Sequence, residues 1–116
     1  MSAEFKVDRQ ENGDVSVLSL NGYLDAHTAP DFEDALKKLI DEGRFKIVVS
    51  LSSLQYISSA GLGVFMGFIE EVRQNDGDIK LAETPPKVFK VFDLLGFPSL
   101  YEFFDTADEA AQKFTK

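Results

Sequence analysis

The chain has 116 residues, 44% of them hydrophobic and 11 of them Phe, with a formal net charge of −8 and no Cys. That length fits one domain spanning residues 1–116 around a single core, and the apolar content argues against disorder. The missing Cys excludes a disulfide framework, a thiolate nucleophile and Cys-ligated metal, and the acidic balance argues against direct nucleic-acid binding, which needs a basic footprint.

Met1–Lys6 carries no apolar core and does not read as a signal peptide. No apolar run approaches the roughly 20 residues that cross a bilayer. A soluble cytoplasmic protein with no membrane contact is the expectation.

Glu4–Gln10 and Asp14–Leu20 read as short strands, with Glu11-Asn-Gly-Asp14 as the hairpin between them and Asn21-Gly22 ending the second. Thr28-Ala-Pro-Asp31 reads as a helix start, with Thr28 as cap, Pro30 in the first turn and Asp31 at the positive dipole end. Phe32, Ala35, Leu36, Leu39 and Ile40 follow at helical spacing, and Glu42-Gly43 stops the helix. Phe45–Leu51 has the continuous apolar centre of a strand buried on both faces.

A loop and then a second helix follow, broken at Asn75-Asp-Gly77. Ile79–Ala82 is a further strand. Pro85-Pro86 starts a third helix with Val88, Val91, Phe92 and Leu95 on one face and Gly96 at its end. Ser99–Phe104 reads as a last edge strand, and Thr106 caps a final helix that turns Ala107, Ala110, Ala111 and Phe114 inward. The order β-β-α-β-α-β-α-β-α predicts an α/β fold: an initial hairpin, then parallel strands, in a mixed sheet with about four helices.

The second helix is the unusual element. Gly61–Ile69 carries no polar side chain on any face, which predicts burial. Gly63 and Gly67 lie four apart and share a face, where each is less favourable than Ala by about 1 kcal/mol unless another backbone packs closely. In so small a chain part of that apolar surface can stay exposed, and Leu62, Phe65 and Met66 are the candidates for a partner-facing patch; the alternative is that all three are core.

Ser58 and Ser59 fall at or just before this helix's N-terminus. Either reads as an N-cap that needs no function. The same position tolerates a phosphoryl group, because free N–H groups and the positive dipole end point there. Such a group adds roughly −1.5 to −2 charges that a partner can sense without the fold changing.

Catalysis finds little support. The only His is His27, no Gly-x-Ser-x-Gly surrounds either serine, and no Gly-Lys-Ser/Thr follows a glycine loop. One His with scattered carboxylates makes a poor metal site. Neither a cofactor nor a metal is expected, and the chain does not read as an enzyme.

Ile47-Val-Val-Ser-Leu-Ser-Ser-Leu-Gln-Tyr-Ile-Ser-Ser-Ala-Gly-Leu-Gly-Val64 resembles the signature of the STAS domain family, the bacterial anti-sigma factor antagonists, and Leu20-Asn-Gly-Tyr-Leu-Asp-Ala-His-Thr-Ala29 resembles the family's Gly-x-Leu-Asp segment. The element order matches across nearly the whole chain. The resemblance implies a phosphorylation-gated switch. Unphosphorylated, such a protein binds an anti-sigma factor that is also a serine kinase of the histidine-kinase-like ATPase type, and so frees a sigma factor. Phosphorylation releases it, and a metal-dependent serine phosphatase restores it.

Carried over by position, the acceptor is Ser59, Asp25 is the acidic residue near it, and Gly61, Leu62 and Gly63 are the helix start. Two positions depart from the pattern: Ser58 stands where the family commonly has Asp, and Ser50 where it has Asp or Asn. Ser58 is therefore the alternative acceptor. The rival function is a STAS module that is not phosphorylated and binds a nucleotide or small ligand, or serves as a scaffold in a signalling complex.

Overall fold

The computed structural model describes residues 5–114. Glu4, the expected first strand residue, lies outside them, as do the rest of Met1–Lys6 before Phe5 and the last two residues of the expected domain. The described residues form a five-stranded sheet in the order β1-β2-β3-β4-β5 with four helices. The strands are β1 (Lys6–Asn12), β2 (Val15–Leu24), β3 (Lys46–Ile57), β4 (Asp78–Ala82) and β5 (Phe103–Phe104). The helices are α1 (Ala29–Asp41), α2 (Ser59–Gln74), α3 (Pro86–Leu94) and α4 (Ala107–Lys113). β1 and β2 pair antiparallel, and the remaining pairs are parallel.

Alternation along the strands sends two sets of side chains to opposite faces. On one face Leu18, Leu20, Ile47, Val49, Leu51, Ile79 and Leu81 meet Phe32, Leu36 and Leu39 of α1, Phe65 and Val72 of α2, and Val88 and Phe92 of α3. On the other, Val15, Val48 and Ala82 meet Ala110 and Ala111 of α4. Lys80, 7% exposed, also belongs to the sheet; its Nζ pairs with Glu102 and Asp78 and lies 4.8 Å from the Phe114 ring centroid. Helix α1 ends as its sequence predicts. Gly43 takes φ +76°, Gly43 N–H donates to Ile40 O, and Arg44 N–H donates to Leu39 O, so both orphan carbonyls are satisfied.

Three strands outrun their expected ends, β1 by two residues, since Glu11 and Asn12 of the expected hairpin turn pair with Ser16 and Val15. Asn21-Gly22 does not stop β2: Gly22 takes φ +100° inside the strand, and the β2–β3 register shifts between Ser19 and Asn21 and again between Gly22 and Tyr23. These bulges let pairing resume, so Leu24 pairs with Ile57 and β3 runs six residues past Leu51 to Ile57. The expected Ser99–Phe104 strand shrinks to Phe103–Phe104, because Phe97–Ser99 forms a 3-10 turn and Tyr101, 3% exposed, turns into the core. Leu95 does not join the inward face of α3; it is 58% exposed. Thr106 caps α4 as expected, its Oγ1 accepting from Glu109 N–H at 3.1 Å. No helix among the described residues is long and apolar enough to cross a membrane.

Candidate functional site

The parallel ends of β2 and β3 carry the site. Each strand closes on an aromatic residue, a buried aliphatic residue and then a loop: Tyr23-Leu24-Asp25 and Tyr56-Ile57-Ser58. Leu24 and Ile57 point into the core at 0% and 2% exposure. Tyr23 and Tyr56 are exposed, with ring centroids 5.9 Å apart. Ser58 N–H donates to Leu24 O at 2.9 Å, so the β2–β3 pairing continues into the serine loop.

Asp25 builds the turn that follows β2. Its Oδ1 accepts from His27 N–H at 2.9 Å and Thr28 N–H at 3.1 Å, the local bonding that Asp favours in turns. Thr28, expected as a side-chain cap for α1, sits at the N-cap position but makes no cap bond. Its hydroxyl is taken by this loop instead, donating to Tyr23 O at 2.7 Å and accepting from Asp25 N–H at 3.0 Å.

Ser58 is the N-cap residue of α2 by backbone geometry, with φ −103° and ψ 175°, yet its side chain makes no cap bond. Its Oγ is buried and has no hydrogen-bond partner. Ser59 is the first residue of the helix and is exposed. The two adjacent hydroxyls thus differ sharply in access to solvent.

The rest of α2 divides by face. Gly61, Leu62, Val64, Phe65 and Val72 are buried. Phe65, 0% exposed, packs edge-on against Phe32, Phe92, Phe97 and Tyr101 at centroid distances of 5.0, 5.7, 6.4 and 6.2 Å. Leu62 and Phe65 therefore present no surface, contrary to the expected patch, and of the three residues in it Met66, 49% exposed, alone faces outward. Gly63 and Gly67 do share a face, as spacing predicts, but it is the solvent face: a Cβ on either would meet nothing within 4 Å. The close approach is at Gly61.

Ser59, Gly63, Met66, Gly67 and Glu70 form one exposed stripe, running from the helix start along a surface of small and apolar groups. Met66 Sδ accepts from Tyr101 OH at 3.9 Å, which ties the stripe to the segment after α3. Burial pushes the Tyr101 phenol up to about 12. Leu94, Leu95 and Leu100, at 84%, 58% and 47% exposure, are further large apolar side chains left in solvent around that segment, whereas Phe97 between them is core at 3%. The Leu94-Leu95 doublet at a helix end was their only sequence signal. Ser50, at the departure from the family pattern, donates to Glu83 Oε1 at 2.7 Å, and Glu83 Oε2 accepts from Ala107 N–H at 3.3 Å, so this hydroxyl braces the start of α4. A groove of about 480 Å³ opens between β1 and α1, lined by Phe5, Val7, Leu18 and Ala35 with charged residues at its rim; none of its lining residues belongs to the serine loop.

A five-stranded mixed sheet with three helices on one face and one on the other carries a serine at the start of α2, and this architecture is the one that comparison with known proteins matches. Residues 6–110 match the STAS domain, and the chain belongs to that family. It is 34% identical over 98 residues to BtrV of Bordetella bronchiseptica, covering 84% of each chain. It is 30% identical over 83 residues to the anti-sigma-B factor antagonist of Staphylococcus epidermidis, covering 72% of this chain and 77% of the relative. Among solved structures, the anti-sigma factor antagonist SpoIIAA in its unphosphorylated form superposes with TM-score 0.81 at 24% identity, covering 97% of this chain and 96% of the other. Bacillus SpoIIAA in the phosphorylated form superposes with TM-score 0.72 at 23% identity, covering 95% and 98%. These two likenesses show the common fold.

Proposed function

We propose that this protein is an anti-sigma factor antagonist acting in the cytoplasm as a phosphorylation-gated binding switch, with no catalysis of its own. Unphosphorylated, it engages an anti-sigma factor that is also a serine kinase of the histidine-kinase-like ATPase type, and a sigma factor is freed. The kinase transfers the γ-phosphoryl of ATP to Ser59 Oγ: the bond to the β-phosphate oxygen breaks, ADP leaves, and the hydroxyl proton passes to a base on the kinase. A metal-dependent serine phosphatase hydrolyses the ester and resets the switch.

The observation that carries this reading is the contrast between the two serines: Ser59 is exposed at the first position of α2, and Ser58 Oγ is buried beside it. That contrast supports Ser59 over Ser58 as the acceptor. The names of the relatives, and the two phosphorylation states in which SpoIIAA is described, support the class. Gating follows from electrostatics. A phosphoryl group at a helix N-terminus is compatible with the fold. On the partner side it places roughly −1.5 to −2 charges at one end of a stripe whose next three residues, Gly63, Met66 and Gly67, are small or apolar and whose far end carries Glu70. Desolvating that charge in a contact opposes association, and it adds to a net charge that already stands at −8.

The test uses the kinase captured from native cell extract with the unphosphorylated protein as bait. Wild type, Ser58→Ala and Ser59→Ala are each incubated with the purified kinase and Mg-ATP, and the modified peptide is mapped by mass spectrometry. The expected result is one phosphoryl group on Ser59 in wild type and Ser58→Ala, and none in Ser59→Ala. Modification of Ser58, or no modification of any variant, overturns the proposal.

A further inference from the structure

The start of α2 needs a physical cause, because its capping chemistry is missing. An N-cap serine ordinarily fixes a helix start by accepting from an N–H of the first turn. Ser58 does not do so, and its hydroxyl is buried without a partner. What holds the turn is packing. A Cβ at residue 61 would lie 2.7 Å from Leu24 Cγ and 2.9 Å from Leu24 Cδ2, closer than real Cβ contacts come, and 3.0 Å from Ile57 Cγ1, which is tight. The backbone of the first turn of α2 therefore rests directly on the two aliphatic side chains that close β2 and β3. Two backbone bonds complete the seat: Ser58 N–H to Leu24 O at 2.9 Å below it, and Leu62 N–H to Ser58 O at 3.1 Å as the first helical bond.

We infer that Gly61 is a positioning residue for the switch. Buried itself, it offers a partner no surface, and it acts by letting Leu24 and Ile57 set where Ser59 projects. Of the three glycines in α2 this is the one with close neighbours, since Gly63 and Gly67 face open space. The turn that Asp25 builds begins immediately after Leu24, one of the two side chains of the seat. A methyl group at residue 61 requires either the side chains of Leu24 and Ile57 or the first turn to shift; in the inferred device the first turn moves away from the strand ends and carries Ser59 with it.

This inference takes the role of Ser59 from the proposed function, but its test needs no kinase, so the two can fail separately. The chain has no Cys, so Ser59→Cys introduces a single thiol at the position in question. Its alkylation rate with iodoacetamide depends on the exposure of the sulfur and on its thiolate fraction, both of which follow the helix start. In the Ser59→Cys background, Gly61→Ala is expected to change that rate at least threefold and to lower the hydrogen-exchange protection of the Leu62 amide at least tenfold, while amides in β3 keep theirs. Adding Leu24→Ala, which clears the space the new methyl group needs, is expected to return both readings to within about twofold of the Ser59→Cys parent.

An unchanged alkylation rate and unchanged Leu62 protection overturn the inference. So does uniform loss of protection through α2 and β3, which marks general destabilisation, or failure of Leu24→Ala to rescue. If Gly61→Ala does not fold, recovery of folding in the Gly61→Ala/Leu24→Ala pair supports the seat, and absence of recovery overturns it.

Discussion

Neighbouring positions in α2 separate core from solvent face, and truncating each to Ala makes the division measurable. Phe65 is wholly buried, and its ring meets four other aromatic rings edge-on. Replacing a buried Phe by Ala costs about 3–5 kcal/mol from lost transfer energy and the cavity left behind. Each edge-to-face pair contributes about 0.5–1.5 kcal/mol beyond area burial, so Phe65→Ala belongs at the upper end of that range. A domain of this kind has about 5–15 kcal/mol in total. At about 4 °C per kcal/mol for a chain of this length, the midpoint falls by roughly 12–20 °C.

Met66 is half exposed, and Met66→Ala is expected to change stability by less than about 1 kcal/mol. Its effect should fall instead on binding the anti-sigma factor, since the proposed contact stripe loses its largest apolar side chain. The chain has no Trp, so urea and thermal unfolding are followed by far-UV circular dichroism. A loss below about 1.5 kcal/mol for Phe65→Ala, or equal losses for the two variants, would refute this orientation of α2.

Other consequences follow from the same contacts. Asp25→Asn keeps the acceptor oxygen for the His27 and Thr28 amides and should stay within about 0.5 kcal/mol of wild type, whereas Asp25→Ala should lose about 1–2 kcal/mol; equal losses in urea unfolding would show that charge rather than the turn matters. Tyr101 has its folded pKa pushed up to about 12 by burial, so its contribution is complete below pH 10 and is lost as pH rises towards 12. Alkaline unfolding should steepen over that window in wild type and not in Tyr101→Phe. At the acid end, Arg9 holds the Glu11 and Glu42 carboxyls below their ordinary range, and Lys46 does the same for Asp14. Folded pKa values that are lowered give stability that is present above about pH 4.3 and lost as pH falls through the lowered values. The urea midpoint should drop over that interval, and less so at high salt, because these pairs are exposed.

The element order was legible because apolar periodicity and turn residues agree along most of the chain, as at Phe32–Ile40 and Gly43. The strand ends were not. Asn21-Gly22 carries the chemistry of a turn, and only pairing with β3 reveals that Gly22 serves a bulge. In α2, spacing correctly put Gly63 and Gly67 on one face but could not orient it. A helix apolar on every side has no polar stripe to mark outside, so Leu62, Phe65 and Met66 could not be sorted. The aliphatic residues closing both strands, Leu24 and Ile57, were the available sign that something packs closely there, and the need for a glycine at residue 61 becomes visible once those strand ends are paired. The serines were legible as a helix start; the inequality between them depends on Ser58 Oγ being buried.

The most direct test of the account is the affinity of the anti-sigma factor kinase for wild type, Ser59→Ala and Ser59→Asp, measured by titration calorimetry. Charge gating predicts that Ser59→Ala binds like wild type and resists release by ATP, and that Ser59→Asp binds at least tenfold more weakly while unfolding at the same urea midpoint. Equal affinity of Ser59→Asp and wild type would contradict it, and the serine would then be only the first residue of a helix.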